Sequence, residues 1–499
     1  MNEELSGGKN GMNFNKADII LAFAMLLTGF LYWNLINIDS LGLGVTLFAV
    51  VLCTATIVYF RSAGLVQTKE SLVYLGIVIL SAVNFTLFDG IVIKAFNFIF
   101  LSLSFVYWVC LSAGKRLENK ISLYIISDML RQLFVIPFYN FTGCFVGVSQ
   151  LFSKNVKGRG VLSGVVGILF FLPVLILVIT LLTDADAAFE SLMDQLRFTL
   201  TENMLEYLRD IILGLPVACY LYGLIYGNRY KRDAGNVTIE SVNNHVMAFR
   251  FVPGVTVFSA MTALNLIYLV FFLAQASYLF SAFTDSLPQS MTYAEYARRG
   301  FFELCAVSGI NLGVIAVAHL IAKRDKIKIL HGETAVLCFF TIALIATAMS
   351  KMGMYISYYG LTRLRVYTSW FMIALIFIFV IVLIRQFRSF NGTRIVAVGC
   401  ICLFMVLCYG NADGMIAKYN IDRYESGTLE SLDVSALSEL SDGAVPYLYE
   451  LYRDTTDPVL KADLKEVIKR PVAGSYVEHR SFRDFDLQSY KADQIRNEL

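Results

Sequence analysis

The sequence predicts an all-α integral membrane protein: a polytopic bundle of about 11 transmembrane helices with a small helical extracytoplasmic C-terminal domain. Three observations carry this. Of 499 residues, 57% are hydrophobic and 16% charged, against about 45–50% and about 25% in soluble chains. The apolar excess is gathered into long blocks free of charge. Lysine and arginine are concentrated in alternate connections. The same composition excludes a cytosolic enzyme, a disordered chain and a nucleic-acid partner, because a formal net charge of +2 offers phosphate no basic field.

A helix rises about 1.5 Å per residue, so crossing a hydrocarbon core of about 30 Å takes roughly 20 apolar residues. Such blocks fall at roughly 19–38, 41–60, 71–88, 95–113, 161–183, 211–226, 252–283, 301–322, 333–350, 367–384 and 395–410. The blocks at 211–226 and 395–410 only just reach across, and 252–283 is long enough to tilt. Region 121–153 is also apolar, but Asp128, Arg131 and Pro137 interrupt it. It reads as an interfacial or re-entrant segment, not a span.

Orientation follows from the basic residues. The connections on one side hold 22 Lys and Arg, those on the other hold 8, and 411–499 holds 11. The positive-inside preference makes 1–18 a cytoplasmic leader and 19–410 the polytopic domain. With an odd number of spans, 411–499 is an extracytoplasmic tail; a miscount of one would reverse it. The first apolar block follows a polar leader, is too long for a signal h-region and lacks a small-x-small exit, so it reads as a permanent span, not a cleaved signal. The lipid bilayer is thus the first partner.

All nine cysteines lie in or beside apolar blocks. A cysteine-free tail is held by packing and not by disulfides. Cys400 and Cys402 point about 200° apart on a helix, which disfavours shared metal binding. Residues 184–210 carry seven acidic groups, with Phe189, Leu192, Met193, Leu196 and Leu200 at helical spacing. They predict an outer amphipathic helix whose acidic side is a solvated face or a gatherer of cations. In the tail, apolar residues recur at three and four around Leu437, Leu448 and Leu464. Asp442 and Asp457 are expected to cap helices, with Pro446 and Pro458 in first turns. Two or three short helices packed as a hairpin would either bind a protein partner or stack on the membrane domain.

Three polar clusters fall on the predicted outer face. In YAEYARRGFFEL, Glu295, Arg299 and Glu303 form one helical stripe with Arg298 beside it. They form either an ion pair anchoring the span or part of a site, since a carboxylate entering the membrane needs a partner. In MYISYYGLTRLRVYTSW, Tyr355, Tyr359, Arg363 and Tyr367 recur every four residues, Arg365 lies on a neighbouring face, and Gly360 is placed to break the helix. Two arginines on the outer side run against the positive-inside preference. They imply specific partners: Glu303, Asp413 or an anionic solute or lipid headgroup. In YGNADGMIAKYNIDRY, Asn411, Asp413 and Asn420 supply oxygens without the spacing of a calcium loop, which fits a capped turn into a helix. The candidate ligand-binding set is therefore Glu295, Arg298, Arg299, Glu303, Tyr359, Arg363, Arg365, Asn411 and Asp413. Four scattered histidines form no metal motif, His319 within a span reads as a hydrogen-bonded packing residue, and phosphate loops and nucleophile elbows are absent. No catalytic residue, metal site or cofactor is expected.

YAEYARRGFFEL, YGLTRLRVY, NADGMIAKYNIDRY and the closing SFRDFDLQSYKA together resemble signatures of bacterial multipass families of domains of unknown function, of the four-one-seven-three and four-one-five-three type. The likeness covers roughly residue 160 to the end. It implies a bacterial cell-membrane location and assigns no catalysis. Ser481 and Phe482 stand where that family's final motif tends to begin with Trp. Three roles compete. The first is a non-enzymatic transporter-like or sensing protein with an outer polar site. The second is a partner-binding subunit acting through the tail. The third is an enzyme on a lipid-linked envelope substrate, for which the first outer loop offers only Asp39.

Overall fold

The structure, a computed structural model, describes residues 14–149, 175, 178–179, 181–199, 202–230, 237–274, 301–470 and 481–499. Among them every regular element is helical, and a single bridge joins Val252 to Ala322. The chain runs through α1 (Lys16–Leu35), α2 (Leu43–Ser62), α3 (Lys69–Leu87) and α4 (Ile91–Ser112), then a broken segment, Ile125–Ser149. It continues through α5 (Ala187–Thr199), α6 (Glu202–Tyr230), α7 (Ile239–Ala248), α8 (Gly254–Ala274) and α9 (Phe301–Ile321). Then come α10 (Ile327–Tyr359), α11 (Arg363–Phe387), α12 (Gly392–Tyr409) and α13 (Ala412–Glu425). Helices α14 (Val445–Asp454), α15 (Pro458–Lys469) and α16 (Leu487–Glu498) end it. Polar residues just outside the apolar runs start them: Asn15, Thr68, Thr362 and Asn391 each accept a first-turn backbone N–H.

Eleven described stretches are long and apolar enough to cross a membrane, and the molecule is a multi-pass membrane protein. The block expected at 161–183 lies largely outside the described residues. Ile125–Ser149 qualifies by length and composition, but its path is broken. A π-helical stretch at Arg131–Val135 and a turn after Tyr139 divide it. Both ends lie near the face where α1 begins. The Tyr124 hydroxyl donates to Asn243 at 2.8 Å, and Gly147 sits beside Phe14 and Ala22.

Two apolar cores form within the spans, one from α1–α4, α6 and the broken segment, the other from α8–α11. In the first, α1 and α6 cross at two glycines. A Cβ on Gly29 would lie 2.2 Å from the Gly214 carbonyl oxygen, and one on Gly214 would lie 2.4 Å from the Gly29 oxygen. Small residues allow such backbone approach in lipid, where dispersion and not water exclusion drives packing. Gly29→Leu is expected to force the helices apart and lower the thermal unfolding temperature in detergent by the equivalent of about 1–3 kcal/mol of overpacking. At the start of α1, buried Asp18 accepts hydrogen bonds from Tyr59 and Tyr230 at 2.7 and 2.8 Å and pairs with Arg229 at 3.4 Å. It ties α1, α2 and α6 together on what we term the near face.

The tail has its own apolar core, including Leu437, Leu448, Leu451, Leu464, Ile468 and Ala492. Asp457 caps α15 by accepting from the Val459 N–H at 2.9 Å, and Pro446 and Pro458 occupy first turns. Asp442 departs from expectation. Ala444, not Asp442, stands before α14, and Asp442 is fully buried in a 3-10 turn where Arg496 binds it. An ion pair from a helix 54 residues downstream outcompetes the local capping role.

The tail docks on the far face, where α1 ends. Arg483 donates to the Asn34 carbonyl at 3.2 Å, Asn37 to Asp484 at 3.3 Å, and the Leu43 N–H to the Phe485 carbonyl at 2.9 Å. Helix α1 itself runs from one face to the other. The start of α1 and the tail therefore lie at opposite ends of the bundle, however many crossings intervene.

Candidate functional site

The far-face polar assembly grows from the short turn between α3 and α4. Asp89 and Gly90 follow the apolar run of α3, and Lys94 stands in the first turn of α4. A cation there opposes the positive end of the helix dipole and is 6% exposed, so it needs carboxylate partners. Two supply it: Asp486 at 3.2 Å and Asp89 at 3.8 Å. Asp486 also caps α16, accepting from the Ser489 N–H at 2.8 Å. One tail carboxylate thus starts the last helix and fastens it to the membrane domain.

Two further pairs extend the assembly. The Arg363 guanidinium donates to Asp413 in a fork, Nε to Oδ1 at 2.9 Å and Nη2 to Oδ2 at 2.7 Å, a geometry that fixes direction as well as strength. Asp413 also accepts from the Ser441 N–H at 3.0 Å. Arg496 binds Asp442 and Asp493 and donates to the Ile468 carbonyl. Neutral groups link the pairs. The Asp442 N–H donates to Asp89 at 3.1 Å, the Asp89 N–H to the Gln488 side-chain oxygen at 2.9 Å, and Gln488 Nε2 to Asn411 Oδ1 at 2.8 Å. Asn411 sits in the left-handed region at φ 44°, which asparagine tolerates better than most residues, and it caps α13. A narrow crevice with room for about one water lies between these groups, lined by Asn84, Lys94, Asn411, Asp413, Ser441 and Gln488 among others.

Among the described residues, four aspartates (Asp89, Asp413, Asp442 and Asp486) and three cations (Lys94, Arg363 and Arg496) meet in this inner set. Asp89 carries the consequence. Burial, then the charges of Asp486 and Asp442, push its carboxyl from the ordinary 3.8 up to about 7, against the pull of Lys94. Among the described residues no group of three or more His, Cys, Asp and Glu is arranged to hold a metal ion. The assembly can exchange a proton; it has no nucleophile set beside a base.

Of the candidates read from the sequence, Arg363, Asn411 and Asp413 meet here, and Arg363 finds Asp413 among its expected partners. The helix breaks at Gly360 (φ +72°), where a Cβ would lie 2.4 Å from Asn420 Oδ1, so the tyrosine and arginine stripe divides between α10 and α11. Arg365 lies 4.1 Å over the Tyr355 ring and donates to the carbonyls of Tyr359 and Gly360. It satisfies the open carbonyl end of α10, while the Tyr359 ring is exposed. Glu303 is exposed in the first turn of α9. Glu295, Arg298 and Arg299 lie outside the described residues. Sequence reasoning missed Asp89, Lys94, Asp442, Asp486, Gln488 and Arg496. One signal was present: Lys94 is the sole base in its connection on the base-poor side, the same departure that drew attention to the arginines.

A family model described as Domain of unknown function (DUF4153) matches residues 75–451. The match begins well before residue 160 and takes in Asp89, Lys94, Arg363, Asp413 and Asp442, but it stops short of SFRDFDLQSYKA. No curated protein and no solved structure matches the chain.

Proposed function

The chain belongs to the DUF4153 family, and on that premise we propose that it is a non-enzymatic sensor in a bacterial cell membrane, reading conditions at its far face through the docking of its carboxyl-terminal helices. The basic-residue bias supports a cytoplasmic near face and an extracytoplasmic far face. The observation that carries the reading is Lys94, buried at the start of a span and held by Asp89 from the membrane domain and Asp486 from the tail. The attachment of the tail thereby depends on the charge carried by Asp89 and Asp486 around Lys94. Sensing is favoured over capture of an anionic solute because Arg363 is engaged by Asp413 and Arg365 by carbonyl oxygens. Phe482 and Tyr490, exposed on the tail, fit aromatic anchors at headgroup level and require no protein partner.

The proposal has a pH signature. Docking raises the Asp89 carboxyl to about 7, so the docked state holds the proton more tightly than the undocked one. That contribution is full below about pH 4 and is lost as pH rises through about 7, with the docking equilibrium changing by at most about tenfold per pH unit for one proton. Hydrogen exchange across α16 in detergent, corrected for intrinsic rates, is expected to show protection falling over this window. Asp89→Asn should flatten the profile. Equal pH dependence in both proteins would refute the reading.

A further inference from the structure

We propose that Glu333, Asn265 and Thr262 form a binding site for a sodium-sized monovalent cation inside the membrane domain. Glu333 stands six residues into α10, about 9 Å along a membrane-spanning helix at 1.5 Å per residue. A carboxylate where the apolar run of a span begins is costly unless compensated, and Glu333 makes no ion pair among the described residues. Its two oxygens accept one hydrogen bond each, from the Thr262 hydroxyl at 2.7 Å and from Asn265 Nδ2 at 2.8 Å. A carboxylate offers about four acceptor positions, so half its capacity is unused.

Asn265 supplies the second, independent observation. Its residue is 7% exposed, and its side-chain Oδ1 has no hydrogen-bond partner. In the structure Nδ2 faces the carboxylate. A half-turn about the Cβ–Cγ bond brings Oδ1 to the same position, and two acceptors are stable there only with a cation between them. Carboxylate, carboxamide and hydroxyl oxygens are the donors that hard cations take. One carboxylate balances one positive charge.

The surrounding layers bound the site. At the level of Glu333, His319 Nε2 and Thr334 Oγ1 lie 3.0 Å apart. Toward the centre, the Tyr268 hydroxyl donates to Asn311 at 2.7 Å, and Asn311 donates to Thr341, which donates in turn to the Leu337 carbonyl. That chain lies deeper along α10 than Glu333, and its hydrogen bonds are made within the bundle. The site lies on helices α8 and α10, away from the far-face assembly, and does not depend on the sensing role.

The test uses the full-length protein purified in detergent. Saturable binding of radiolabelled Na+ is expected, together with a higher unfolding temperature in sodium chloride than in choline chloride at equal ionic strength. Glu333→Gln retains an acceptor for Thr262 and should match the wild-type unfolding temperature in choline while losing Na+ affinity by about tenfold or more. Asn265→Ala, which removes Oδ1 and leaves the carboxylate, should weaken binding to a smaller degree. Absence of saturable Na+ binding by folded wild-type protein would overturn the site, as would unchanged affinity in both variants.

Discussion

Lys94→Met is expected to detach the carboxyl-terminal helix from the membrane domain and to give the largest loss of far-face stability. The substitution keeps the length and apolar stem of the side chain but leaves Asp89 and Asp486 facing each other without a cation. Asp486 is 3% exposed, so water cannot replace the missing charge without opening the site. Removing one member of a buried charge cluster typically costs about 3–5 kcal/mol. That is enough to shift docking by two to three orders of magnitude on the scale where about 1.4 kcal/mol is tenfold. Hydrogen exchange over residues 482–498 should rise toward the unprotected rate, while exchange in α1 and α6, anchored by Asp18 and the glycine crossing, should stay unchanged. Adding Asp486→Asn to Lys94→Met should recover part of the loss, because the deficit lies in the uncompensated carboxylates. If Lys94→Met leaves exchange across α16 unaltered, the buried cluster does not hold the tail.

Arg363→Met is expected to have the second largest effect, and for a different reason. Asp413 joins three pieces at once: α11 through the guanidinium fork, α13 on which it sits, and the turn before α14 through the Ser441 N–H. With the guanidinium gone, the carboxylate keeps one backbone donor and no opposite charge, a loss again of about 3–5 kcal/mol. The double variant Arg363→Met with Asp413→Asn should regain most of it, since asparagine can still accept from Ser441 and no buried charge remains. A double-mutant cycle on thermal unfolding reads this coupling directly. The result also separates the two roles considered for Arg363. A residue whose chief task is to bind an anionic solute would lose ligand affinity with little change in stability. One whose partner is Asp413 loses stability first.

Much of this architecture was readable from the sequence because lipid simplifies the problem. Backbone groups in the bilayer must be satisfied within each segment, so uncharged runs such as 41–60 and 367–384 announce helices whatever surrounds them. The interruption at Gly360 and the caps at Thr362 and Asn391 are local as well, and local chemistry fixes them. Asp442 shows where that logic ends. It has the residue type and position of a cap, yet Arg496 claims it, and no periodicity within 430–460 could reveal a partner so far along the chain.

What the sequence determined by itself was the class of molecule, the positions of most of its helices, and the oddity of arginines on a base-poor side. Which charges meet was decided only by the folded chain, because ion pairs such as Lys94 with Asp486 and Arg363 with Asp413 join segments 392 and 50 residues apart. Their energies depend on burial and separation, quantities that exist only once the tail has come to rest against the membrane helices. Hydrophobic length is a property of one segment; electrostatic compensation is a property of the assembled pair.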